Sequence, residues 1–107
     1  MPTYNKLIRD HIPQIIEMTG KTPKTKILSD EDYKTALQKK TKEELTEYLN
    51  AKSDADSIEE LADMLELIHA LAKVHGSTID EVEHIRKHKA EQRGGFDEKV
   101  YLIEVEE

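Results

Sequence analysis

Residues 57–75, SIEELADMLELIHALAKVH, repeat apolar side chains every three or four positions. Projected at about 100° per residue, Leu61, Met64, Leu65, Ile68, Leu71 and Ala72 form a wide apolar face, which Leu67 and Val74 extend past its edge. A helix apolar over most of its circumference belongs at the centre of a small domain. Glu60 and Asp63 project onto the arc that holds Leu67 and Val74. The segment that must be central therefore carries two carboxylates that are poorly placed to reach bulk water.

The preceding segment repeats the conflict. Ser29 or Asp30 caps a helix, DEDYKTALQKKTKEELTEYLNA, over 30–51. Its apolar stripe reads Tyr33, Leu37, position 44, Tyr48 and Ala51, and position 44 is Glu44. Glu47 lies on the flank of that stripe near Ala36, and Glu43 is further round, toward solvent. The polar turn KSDAD, residues 52–56, is short, so the two helices pack antiparallel. The pairs Glu44/Glu47 and Glu60/Asp63 are each spaced i, i+3 and share a face. They meet at similar height, because residues 47 and 60 are about equidistant from the turn.

Uncompensated buried charge is very costly. A hard divalent cation such as Mg²⁺ resolves four converging carboxylates, and it keeps waters for a phosphate ligand. The plainer explanation is helix capping, since Thr41-x-x-Glu44 and Ser57-x-x-Glu60 both have capping-box spacing. The second fits a helix that starts at Ser57. The first falls in mid-helix, so capping leaves Glu44 unexplained.

Elsewhere, Pro13 suits the first turn of a helix that runs to about Met18 and ends at Gly20. Residues 21–28 read as a loop entering a short strand. Gly76 stops the 57–75 helix, and Ser77 or Thr78 starts IDEVEHIRKHKAEQR, which ends at Gly94-Gly95. Residues 99–105, KVYLIEV, alternate and read as a strand, with 24–28 as its expected partner in a two-stranded ribbon. The expected fold is mainly α: one domain over 1–107, a bundle of four to five helices with that minor ribbon.

Composition narrows the function. A chain of 107 residues with 36% hydrophobic content builds a thin core, and oligomers bury more surface. The formal charge of −7 argues against duplex nucleic acid, which needs a basic face. No apolar run reaches the length of a membrane span, and MPTYNKLIRD lacks the apolar stretch of a signal peptide. The absence of Cys rules out thiolate metal sites and fits a cytoplasmic location.

EELTE (43–47) followed by EELAD (59–63) resembles the EExxE…ExxD signature of all-α nucleoside triphosphate pyrophosphohydrolases. That group includes MazG-type, dimeric dUTPase-type and phosphoribosyl-ATP pyrophosphohydrolase enzymes. The likeness to the small MazG-like, phosphoribosyl-ATP-pyrophosphohydrolase-like branch runs from YNKLIRDHIP to KHKAEQRGGF, nearly the whole chain. The resemblance implies Mg²⁺-dependent cleavage between the α- and β-phosphates of a nucleotide, with Mn²⁺ as a substitute. It implies Glu44, Glu47, Glu60 and Asp63 as metal ligands, and a homodimer or homotetramer with central helices at the subunit interface. A carboxylate beside the metal has to accept a proton from water. Glu47 is the first candidate for that role and Glu43 the second.

The last helix becomes basic where its packing face would otherwise stay apolar. Ile79, Val82 and Ile85 are followed on that face by Arg86, Lys89 and Arg93. Lys89 and Arg93 are candidate phosphate ligands, although cations also favour a helix C-terminus. Lys6 and Arg9 lie within the YNKLIRDHIP stretch of the resemblance and are candidate phosphate ligands as well, or partners for an acid on another helix.

Two other readings compete. A di-iron bundle needs Glu-x-x-His on two helices, and Glu66/His69 and Glu81/His84 have that spacing, although the second pair projects away from the Ile79/Val82 stripe. His84 and His88 have zinc-ligand spacing but sit on a polar face. A non-enzymatic helical interaction module explains the wide apolar face and the acidity but not Glu44.

Overall fold

The computed structural model describes residues 2–107, and the chain is all-helical over them. Four helices follow in order: α1 (Ile12–Met18), α2 (Asp30–Asn50), α3 (Asp54–Val74) and α4 (Ile79–Arg93). Their ends are set by local chemistry. Ser29, Ser53 and Thr78 each accept, on the side-chain oxygen, a hydrogen bond from the backbone N–H three residues on. Pro13 occupies the first turn of α1, where its missing N–H costs nothing. Gly20, at φ 86°, takes the left-handed turn that stops α1.

The start of α3 differs from the sequence expectation. Ser53, not Ser57, is the cap, and the Ser57 N–H already bonds to the Ser53 carbonyl inside the helix. The turn shrinks to residues 51–53, and Glu60 lies well within α3. Capping therefore explains neither Glu60 nor Glu44. Thr41 is in mid-helix as expected, its hydroxyl donating to the Leu37 carbonyl.

Helix-on-helix packing is confined to two seams. α2 lies along α3, and α4 touches α3; α1 packs on no other helix among the described residues. Leu37, Leu67 and Ala72 are the buried apolar side chains. Leu67 marks the side of α3 turned to α2, so the arc carrying Glu60 and Asp63 faces inward. The wide stripe read as the core face is only partly covered: Ala72 is buried and Met64 and Leu71 are half-buried, while Leu61, Leu65 and Ile68 remain 48%, 52% and 40% exposed.

The ribbon expected from 24–28 and 99–105 does not form. No strand occurs among the described residues, and neither segment makes a strand hydrogen bond. Topology gives the reason. α2 and α3 run antiparallel about their short turn, so α2 starts where α3 ends. α4 departs from that same end, and its 15 residues carry the chain about 22 Å away. The 99–105 segment thus begins more than a full helix length of chain beyond that end, and the two segments make no hydrogen bond with each other.

The result is an extended chain. Its radius of gyration is 18.4 Å, against about 13 Å for a compact domain of this length. Its accessible surface is 10163 Å², about 4,000 Å² more than a compact monomer of this mass exposes. No helix is long and apolar enough to cross a membrane.

Candidate metal centre

The α2–α3 seam brings carboxylates together. Glu44 and Glu47 come from α2, one turn apart, and Glu60 from α3. One oxygen of each lies within 4.8 Å of the others. Glu44 is buried at 9% exposure because it occupies an apolar position of α2, one turn from the packed Tyr48 and two from the buried Leu37. Glu60 is half-buried, and Glu47 is exposed at the mouth of the group.

Oε2 of Glu44 and Oε2 of Glu60 are both shut off from solvent with no hydrogen-bond partner. Two carboxylates supply acceptors only, so they satisfy each other only if one is protonated. The electrostatics agree. Glu60 is pushed up to about 7, first by its hydrogen bond to Glu44, then by burial and by Glu47. Glu44 is also raised, chiefly by burial, with the charges of Glu47 and Asp63 adding to the shift and the bond from Glu60 opposing it. Both shifts run in one direction: the cluster holds a proton more readily than isolated carboxylates do, and the proton belongs to the pair as a unit.

Chemically, this is an all-oxygen donor set with more negative charge than its surroundings neutralise. Such a set suits hard cations of the Mg²⁺ or Mn²⁺ type and not soft ones. A divalent cation would take the place of the shared proton and satisfy both stranded oxygens.

Asp63, the fourth expected ligand, does not join the group. Arg9 Nη2 donates to Asp63 Oδ1 at 2.8 Å, tying the segment before α1 to α3 across 54 positions of sequence. Arg9 was expected among the phosphate ligands or as a partner for an acid, and it takes the second fate. No pattern in the sequence pointed to Asp63 as that acid.

The remaining candidates are dispersed. Glu43 is exposed and, with Asn5, Lys6, Lys39 and Lys40, lines a shallow cleft where the N-terminal segment crosses α2. Lys6 also lies over the Tyr4 ring, 5.6 Å from its centroid. Lys39 and Lys40, not singled out in the sequence, are thus the cations that stand beside Lys6. Lys89 and Arg93 are exposed on α4, and no ion pair among the described residues links them to the carboxylates. Arg86 pairs with Glu83 on its own helix at 2.9 Å, which holds that carboxyl below its usual range. Glu66/His69, Glu81/His84 and His84/His88 form no metal-competent group among the described residues.

No family model matches the chain, and no solved structure does. A stretch of 42 residues is 45% identical to an uncharacterized protein of Mycolicibacterium smegmatis, covering 39% of this chain and 43% of that protein's length.

Proposed function

We propose that the chain is a Mg²⁺-dependent nucleoside triphosphate pyrophosphohydrolase of the MazG-like kind, working as a homodimer or homotetramer in the cytoplasm. The observation that carries the proposal is Glu44: a carboxylate buried in a helix seam, one oxygen unpartnered, beside Glu47 and Glu60. The order of the acidic motifs along the sequence supplies the reaction class. Phosphoribosyl-ATP is an alternative substrate, since the resemblance extends to that enzyme.

Glu44, Glu47 and Glu60 would hold the cation, and Asp63 would join them where Arg9 releases it. When bound, such a cation lowers the pKa of a water and neutralises phosphate charge. Glu47, the exposed member, accepts the proton as the water oxygen bonds to phosphorus and the bridging α–β P–O bond breaks. The products are a nucleoside monophosphate and pyrophosphate. Lys6, Lys39 and Lys40, which line the cleft beside Glu43, would receive the phosphate oxygens. Self-association would cover the exposed Leu61, Leu65 and Ile68 of α3; a stable interface takes ~800 Å² per partner, and the chain as a whole exposes about 4,000 Å² more than a compact monomer.

The test is pyrophosphate release from a panel of common and modified nucleotides, with and without Mg²⁺. Metal-dependent release that Glu44→Gln abolishes supports the proposal. A non-enzymatic interaction module, the reading that the exposed α3 stripe favours, would release none from any nucleotide.

A further inference from the structure

Two extended segments of this chain lack what their chemistry requires. Val100, Tyr101, Leu102, Ile103 and Val105 are all at least 74% exposed, and no backbone hydrogen bond satisfies 100–107. Residues 21–28 are likewise unbonded, with Ile27 97% exposed. β-branched side chains on an unpaired backbone form a template for strand addition. Lys99, at φ 60°, turns the chain on the Phe96 carbonyl and launches the segment outward.

We propose that residues 99–105 of one copy pair as a β-strand with residues 24–28 of a second copy, and reciprocally. The inference rests on the self-association proposed above and names its contacts. Charge selects the pairing: Lys24 and Lys26 lie in one segment with Lys21 before it, and Glu104 lies in the other with Glu98, Glu106 and Glu107 at its ends. Antiparallel pairing of 99–105 with its own copy would set Glu98 opposite Glu106, which like-charge repulsion disfavours. Within one chain the two segments make no hydrogen bond to each other, so each is left open to a second copy. A two-fold axis makes the exchange reciprocal, each copy giving one segment and receiving the other.

The test mixes equal amounts of light and isotopically heavy chain and couples Lys to Glu with a zero-length carbodiimide. Peptides joining Lys24 or Lys26 to Glu104 or Glu106 are expected, about half of them carrying one light and one heavy chain, as random mixing in a dimer requires. Lys24→Glu with Lys26→Glu should weaken the dimer at least tenfold, and adding Glu104→Lys with Glu106→Lys should restore it. A dimer by sedimentation that gives only single-isotope peptides, or none, overturns the arm exchange and leaves self-association standing. A monomer at all concentrations overturns both.

Discussion

Glu44 on α2 and Glu60 on α3 each turn one carboxylate oxygen into the helix seam, where neither solvent nor a protein donor meets it. A folded chain tolerates this only with a shared proton or a cation in the seam. Replacing Glu44 by Leu should therefore raise the stability of the metal-free protein, by about 1 kcal/mol or 4–8 °C in melting temperature for a domain of this size. The same change should remove any stabilisation by Mg²⁺. Thermal melts followed by circular dichroism, with and without Mg²⁺, read both effects.

Stability should fall as pH rises from about 4.5 to 7 in the absence of divalent cations. Glu60 in the folded chain is raised to about 7 from an ordinary 4.5. Between those values the native state binds more protons than the unfolded state, so ∂ΔG/∂pH is negative. Burial raises Glu44 in the same direction. Saturating Mg²⁺ should flatten the slope and release protons on binding near pH 6. Calorimetry in two buffers of different ionisation enthalpy measures that release.

Arg9 competes with any cation for Asp63. Their pair is substantially exposed, at 57% and 42% of the two side chains, so its contribution to stability is within about 1 kcal/mol. Arg9→Ala should change the melting temperature little. It should tighten Mg²⁺ binding several-fold and speed tryptic cleavage after Lys6. Isothermal titration and timed proteolysis check the two outcomes.

The exposed part of the α3 stripe predicts concentration-dependent stability. Leu65→Asp should weaken self-association by at least tenfold, because half of that apolar side chain is uncovered within one chain and would face a partner. Sedimentation velocity across a dilution series reads the shift. The melting temperature of the parent protein should rise with concentration, while that of the variant should not.

The sequence made much of this legible, and the failures have a common cause. Caps and stops are local, so Gly20 and Gly94 could be read directly and the caps narrowed to Ser29 or Asp30 and Ser77 or Thr78, of which Ser29 and Thr78 cap. The carboxylate at position 44 broke a periodic pattern, so its burial was legible too. Ser53 lost to Ser57 because the apolar period begins at Ile58, while the first turn of α3 is acidic and carries no period. The Leu61, Leu65 and Ile68 part of the α3 stripe lies outside the core, because breadth of apolar surface does not say which neighbour covers it. The 24–28 and 99–105 segments read as strands locally, but where they leave the bundle depends on the direction of α4. The partner of Arg9, 54 positions distant, leaves no local signature at all.

The central claim is that Glu44, Glu47 and Glu60 form one cation site. Its most direct measurement is the melting temperature of the parent protein and of Glu44→Gln during a titration with Mg²⁺ or Mn²⁺ at constant pH and ionic strength. The account predicts a saturable rise in the parent, worth about 2.7 kcal/mol at one hundred times the dissociation constant, and no rise in the variant. A parent protein whose melting temperature ignores both cations, or a variant that responds as the parent does, would contradict it.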